Sequence, residues 1–287
     1  MFEYRVSGSI LSYMLLFMRL TSWLLIFLFW PISLVRQNSF NSLTPILLCL
    51  LIFTISYVLR QSKDRYHYFL YLVLPIINVN LLLFPLFYGL FNVRYLKKDC
   101  LGQIYLILSI VLLFALFTKF LDKSIFAYGE LDIYNLNLKR GLLGYGILAR
   151  SLYNKAWLFL NKILSNFFSL TDINNYFFAF HPRESVLTNQ NLVKYSFSTL
   201  PYFVVGMFNI RKFKMSSWYI TCLISLIFSL SFLKNFDIND FVPWLFLSLI
   251  CVNGYKITVK KPNCLTYLLF FAFLSLSFWQ LLRLFVL

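Results

Sequence analysis

The sequence predicts an all-α polytopic membrane protein with seven or eight transmembrane helices and one interfacial amphipathic helix. Its 287 residues are 60% hydrophobic and only 13% charged, and this charged share is roughly half that of a typical soluble domain. The apolar residues come in long runs instead of alternating with polar ones. About 20 apolar helical residues span the hydrocarbon layer, where only a backbone with internally bonded polar groups is tolerated. A soluble core of this length would not hold so much apolar surface.

Eight apolar runs are candidates for the transmembrane helices. In chain order they occupy residues 11–35, 43–59, 68–91, 101–121, 197–210, 217–233, 241–255 and 265–287. The third run contains Pro75 and Pro85 with Asn78 and Asn80 between them, which predicts a kinked or broken helix. The fifth and seventh runs are short, so a count of seven stays as open as a count of eight.

A polar segment over residues 122–196, which we call the island, divides the chain. Before it lies a predicted N-terminal bundle of about four spans (1–121), and after it a C-terminal bundle of three to four (197–287). Lysine and arginine accumulate in short cytoplasmic loops. With the island outside, four short loops place ten basic residues inside, against five outside. The pattern predicts a bacterial cytoplasmic membrane protein with an extracytoplasmic island.

Cofactor chemistry and nucleic-acid binding have little support in the sequence. The chain has no Cys-x-x-Cys pair and only two histidines, His67 and His181, so neither a metal site nor a cofactor is expected. The net charge of +16 comes from basic residues scattered among helix ends, where anionic head groups account for them. The predicted partners are therefore the lipid bilayer and anionic lipid head groups, with a membrane protein partner left open.

Within the island, residues 142–170 have the pattern of an amphipathic helix. Polar residues recur at three- and four-residue steps, and apolar residues such as Trp157, Leu160, Leu164 and Phe168 occupy the complementary positions. Two interpretations stay open. The helix lies in the head-group layer, or it packs on the transmembrane bundle.

A turn at His181, Pro182, Arg183 and Glu184 is the strongest candidate for chemistry. Pro182 favours an extended conformation at His181, and a histidine that titrates near neutrality beside a guanidinium and a carboxylate is a workable general acid/base set. His181, Arg183 and Glu184 are therefore the predicted catalytic residues. The predicted substrate-binding residues precede the turn, and they are Asp172, Asn175 and Tyr176. In the alternative interpretation, Arg183 and Glu184 pair locally and His181 caps a turn.

Several short motifs in the island carry a resemblance to known proteins. They are Tyr153-Asn154-Lys155, Asn166-Phe167-Phe168, Asn175-Tyr176-Phe177-Phe178 and His181-Pro182-Arg183-Glu184. This stretch resembles uncharacterised polytopic proteins of small-genome bacteria and, more faintly, the extracytoplasmic stretch after the first helix bundle of lipid-dependent GT-C glycosyltransferases. That family carries a catalytic acidic pair in its first exterior loop, whereas the first loop of this chain, residues 36–41, contains no carboxylate. Only Asp64, in the next loop, could take the place of that pair. The resemblance implies an envelope location more than a reaction.

Three functional classes remain open, and the sequence does not decide whether the protein is an enzyme. The first is cell-envelope biogenesis at the outer membrane–water boundary, with a lipid-linked or phosphorylated substrate. The second is a noncatalytic membrane subunit or assembly factor, including a subunit of an organelle-encoded complex. The third is a transporter built around the broken third run.

Overall fold

The computed structural model describes residues 40–61, 65–127, 129–144, 146–172, 176–177, 195, 197–210, 216–234, 241–259 and 264–286. Helices and the turns between them make up these residues, and the only extended pairing among them is an isolated antiparallel bridge between Ser124 and Leu233. The predicted all-α class is confirmed for this part of the chain.

Twelve α-helices are found among the described residues. They are α1 (Phe40–Gln61), α2 (Leu74–Ile77), α3 (Phe84–Phe91), α4 (Val93–Leu96), α5 (Cys100–Leu121), α6 (Glu130–Leu142), α7 (Ile147–Leu152), α8 (Lys155–Thr171), α9 (Leu200–Phe208), α10 (Ser216–Ser231), α11 (Phe241–Val259) and α12 (Cys264–Val286). Three 3₁₀ segments accompany them, at Arg65–Leu72, Val79–Leu81 and Phe197–Thr199.

The chain folds as two compact units, and each combines segments that are distant in sequence. The first unit contains Thr44–Thr171 and Trp218–Pro243; the second contains the described residues within Met1–Leu43, Asp172–Ser217 and Trp244–Leu287. The predicted division at residues 121 and 196 follows the order of the chain. Helix α10, after the island, packs with elements that precede the island, as in the hydrogen bond from Trp218 Nε1 to the Tyr71 hydroxyl, and the two predicted bundles of spans stay a prediction.

The third apolar run is broken into short pieces, as its prolines predict. Pro75 and Pro85 each lie in the first turn of a short helix, α2 and α3, where a missing N–H removes no hydrogen bond. Between these helices Asn78 is extended, with φ −137° and ψ 103°, and its side chain accepts a hydrogen bond from the Asn80 N–H at 3.1 Å. The break is therefore a local effect of proline and asparagine.

A fully buried tyrosine hydroxyl joins three elements of the first unit. The Tyr71 oxygen accepts hydrogen bonds from Ser56 Oγ at 2.6 Å and from Trp218 Nε1 at 2.8 Å. The Cys222 sulfur lies 3.6 Å from the same oxygen. Because buried polar groups are costly without partners, this centre specifies how α1 and α10 pack on the 3₁₀ segment at Arg65–Leu72.

Among the described residues, α5 alone is long and apolar enough to cross a membrane, judged by length and composition. Only 17% of its most apolar 18-residue window is buried within the protein. Its outward side chains include Ile107, Val111 and Phe114, of which Phe114 is 77% exposed. Other described helices contribute shorter apolar stretches, such as Leu47–Arg60.

In the second unit, α9 and α11 cross with their backbones in contact at two glycines. A Cβ atom at Gly206 would collide with the Ile250 carbonyl oxygen, and one at Gly254 would collide with the Tyr202 carbonyl oxygen. Helices approach this closely only where a small residue faces the partner backbone, as is common between helices in membranes.

Candidate functional site

Helices α6, α7 and α8 form a surface layer that begins just after α5 ends. The Gly129 N–H donates to Asp132 Oδ2 at 3.1 Å, which satisfies a main-chain donor at the start of α6. Acidic residues occupy the first turn of α6, and Lys139 and Arg140 occupy its last turn, which is the favourable arrangement for the helix dipole. This end of α5 is also tied to α10, because the Ile125 N–H donates to the Phe232 carbonyl at 2.9 Å.

In place of the single amphipathic helix predicted over residues 142–170, the structure has two helices, α7 and α8. Gly144 follows the end of α6 with φ +77°, a left-handed conformation that glycine adopts without strain. Asn154 then starts α8, since its Oδ1 accepts a hydrogen bond from the Trp157 N–H at 2.6 Å. Local stop and start signals thus override the long-range periodicity.

The side of α8 that faces the protein is mainly apolar but contains the polar Asn166, and apolar side chains are also exposed on the outward side. Asn166 is 0% exposed, and its Nδ2 donates to the carbonyl oxygens of both Ser231 and Leu233 at 2.7 Å. The Ser231 carbonyl lies at the end of α10 and the Leu233 carbonyl just beyond it, where the helix has no further N–H group to bond them. Opposite Asn166 lies a row of exposed side chains that we call the outer stripe: Trp157, Leu160, Leu164 and Phe168, the last 64% exposed.

An ion pair links α6 to α8. Lys162 Nζ lies 2.5 Å from Asp132 Oδ2, and both side chains are about one-quarter exposed. Partial burial opposes ionisation of Asp132, but the hydrogen bonds from Lys162 and from the Gly129 N–H outweigh it and hold the pKa of this carboxyl below its ordinary value. Asp132 therefore stays ionised at neutral pH, and its contact with Lys162 joins the two helices.

A groove lies where α7 gives way to α8. Its volume is about 480 Å³, and Leu152, Trp157 and Leu160 form much of its apolar lining. Tyr153 also lines the groove, and its carbonyl oxygen accepts a hydrogen bond from Arg140 Nε at 2.7 Å. This bond holds the Arg140 guanidinium beside Tyr153, although Arg140 is not itself one of the lining residues.

The surroundings of this groove are basic. From Lys139 to Lys162 the chain carries five cations and no carboxylate. Lys139 and Arg150 are exposed, and Arg140 is half-buried. Sequence analysis did not name Arg140 and named Asn166 only within a motif of the resemblance, because each acts through a main-chain carbonyl that no sequence pattern marks.

The predicted site around His181 is only partly within the described structure. Asn175, His181, Arg183 and Glu184 lie outside the described residues. Asp172 follows the last residue of α8 and is half-buried.

Tyr176 packs inside the second unit. Its side chain is 5% exposed, and its carbonyl accepts a hydrogen bond from the Tyr195 N–H at 3.0 Å. The Tyr195 hydroxyl in turn lies 2.9 Å from Ser248 Oγ. These contacts are those of a packing residue, while the role predicted for it in substrate binding stays a prediction.

Within the described ranges, no three His, Cys, Asp or Glu side chains are grouped so that they could hold a metal ion. Comparisons of the chain with protein-family models, with curated proteins and with solved structures find no match.

Proposed function

We propose that this chain is a multi-span protein of the cell envelope in which α6, α7 and α8 lie along the membrane–water boundary and handle lipids with phosphate head groups. The observation that carries the proposal is the outer stripe of α8, exposed on the side opposite the buried Asn166. The predicted seven or eight spans, the bacterial cytoplasmic membrane and the extracytoplasmic island are parts of the same proposal.

The outer stripe supports a boundary location through its chemistry. A soluble protein rarely leaves a continuous row of large apolar side chains in water. Burial of one such side chain contributes about 1.5–3 kcal/mol, so four of them at the edge of the hydrocarbon layer hold a helix there. A tryptophan is among the residues that favour this depth, and Trp157 is in the stripe.

The position of α8 at one end of α5 supports the same location. Phe126, just beyond α5, contacts Phe159 of α8 with ring centroids 4.9 Å apart. A helix docked at the end of a membrane-crossing helix lies at head-group depth. The low burial of α5 also fits contact with lipid, because a core helix of a soluble protein is mostly buried.

Spin-label accessibility tests this proposal directly. We would place a nitroxide at Leu164→Cys or at Ser165→Cys, in a variant whose native cysteines are replaced by alanine, and reconstitute the full chain in lipid nanodiscs. Both positions are exposed in the isolated chain. Oxygen concentrates in lipid, and a water-soluble nickel chelate stays in water. The label at position 164 should therefore be relaxed more by oxygen than by nickel, and the label at position 165 should be more accessible to nickel than the label at position 164. Equal nickel accessibility at the two positions would overturn the proposal.

A noncatalytic membrane subunit is a second candidate, and the exposed face of α5 favours it. Ile107, Val111 and Phe114 project along one side of that helix, and either lipid or a partner helix would cover them. Photocrosslinking from position 114 in native membranes separates the two cases. A discrete protein adduct supports the subunit, and labelling of lipid alone argues against it.

A further inference from the structure

We propose that the groove between α7 and α8 binds an anionic membrane phospholipid, with Arg140 holding its phosphate and the apolar wall holding the start of its acyl chain. This inference rests on the proposed function, because it requires α8 to lie at head-group depth. The lipid class expected at this surface is the anionic phospholipids.

Arg140 is positioned as a phosphate ligand. Its Nε donates to the Tyr153 carbonyl at 2.7 Å, and its Nη1 lies 3.4 Å from Asn137 Oδ1. A guanidinium has five N–H donors, so these two contacts leave three donors. Arginine binds phosphate through two parallel hydrogen bonds. The Tyr153 contact holds the planar group beside a residue of the groove lining and leaves donors for a phosphate.

The apolar part of the groove continues into the outer stripe. Trp157 and Leu160 belong to both the groove lining and the stripe. An acyl chain lying against these two residues would extend from the groove along the outer stripe, past Leu164 and Phe168. The groove volume of about 480 Å³ is within the usual range for small-molecule sites. A molecule with an apolar tail and a charged head fits this geometry.

Charge complementarity selects an anionic head group over a neutral or zwitterionic one. The segment from Lys139 to Lys162 carries five cations and no carboxylate, and one of the cations, Lys162, is already neutralised by Asp132. The exposed Arg150 on α7 adds positive charge near the groove. Basic residues at a membrane surface attract anionic lipids. The expected occupant is therefore a phospholipid with net negative charge.

Photolabelling with two matched lipids tests the proposal. Full-length protein in nanodiscs would be exposed to phosphatidylglycerol or phosphatidylcholine carrying the same diazirine in the acyl chain near the head group, and adducts would be mapped by mass spectrometry. We expect phosphatidylglycerol to label residues 152–160 several-fold more than phosphatidylcholine. Arg140→Gln should remove this preference, and glutamine still supplies a donor for the Tyr153 carbonyl. Arg140→Lys should restore part of it.

Lys139→Gln is the matched control, because it removes the same charge from the neighbouring exposed position and should keep the preference. Equal labelling by the two lipids, or equal effects of Arg140→Gln and Lys139→Gln, would overturn the proposal. Displacement of the lipid by inorganic phosphate would also overturn it, in favour of a soluble ligand. The label at position 164 separates this inference from the proposed function. If the spin label at position 164 contacts lipid but photolabelling shows no preference between the two head groups, the phospholipid site is wrong and the boundary location of α8 still stands.

Discussion

Asn166 in the middle of α8 donates a hydrogen bond to the carbonyl oxygen of Leu233, just beyond the end of α10, at 2.7 Å. The same Nδ2 group donates to the Ser231 carbonyl at 2.7 Å, so one buried amide closes the last turn of another helix. Since this contact fixes the rotation of α8 about its axis, it also determines which side chains form the outer stripe.

Asn166→Ala should therefore destabilise the first unit. It leaves two buried carbonyl groups without donors, and we expect the free energy of unfolding to fall by about 2 kcal/mol. Reversible unfolding of the purified protein in mixed detergent micelles measures this value. Asn161→Ala, at an exposed position of the same helix, makes the same change in helix propensity and serves as the control. Equal stability of the two variants would show that the Asn166 contacts contribute nothing.

The Asp132–Lys162 pair should contribute stability that depends on pH and salt. The unfolded carboxyl has a pKa of about 3.9, and the folded pKa is lower. The contribution is therefore complete above that unfolded value and is lost as the pH falls through the folded pKa.

A double-mutant cycle with Asp132→Asn and Lys162→Gln measures this contribution. We expect a coupling of about 0.5–1 kcal/mol at pH 7, because the pair is partly exposed. The coupling should be unchanged at pH 5 and smaller in high salt. A coupling that already vanishes at pH 5 would contradict the lowered pKa.

Gly254→Ala should disrupt the crossing of α9 and α11. The added methyl group would overlap the Tyr202 carbonyl oxygen and lie 2.7 Å from the Gly206 nitrogen. Because both obstacles are backbone atoms, the helices must separate, at a cost of about 1–3 kcal/mol or more. Thermal unfolding in detergent would measure the loss. Gly146→Ala has open space around the new methyl group, and it should change stability by less than about 1 kcal/mol. A similar small effect at position 254 would exclude the close approach.

The predicted catalytic set gives a different kind of test. If His181, Arg183 and Glu184 perform chemistry, alanine at any one of them should abolish complementation of a deletion strain while the protein remains at normal abundance. Loss of a general acid or base lowers the rate by about 100-fold or more. Ser185→Ala is the neighbouring control and should complement fully. Loss of the protein itself, measured by immunoblot, would instead indicate a structural turn.

Local signals in the chain were enough to predict the helical class, the broken third run and the long apolar helix α5. Each of these features depends on neighbouring residues. Proline removes a backbone N–H donor and fixes the φ angle, and an uninterrupted apolar run sets the length and the apolar character of a helix such as α5. Local signals were also present at Gly144, between α6 and α7, and at Asn154, between α7 and α8, although the helical periodicity across residues 142–170 favoured one continuous helix.

The rotation of α8 could not be predicted in this way. Periodicity identified two faces, but the spacing of polar and apolar residues does not say which face meets the protein. The answer depends on the Ser231 and Leu233 carbonyls, which lie 65 and 67 residues farther along the chain. Likewise, Arg140 lies beside the groove lining only because the fold brings it to the Tyr153 carbonyl, 13 residues farther along the chain. The tertiary structure decides these features, since a buried carbonyl without a donor is costly and the residues that supply the donors are distant in sequence.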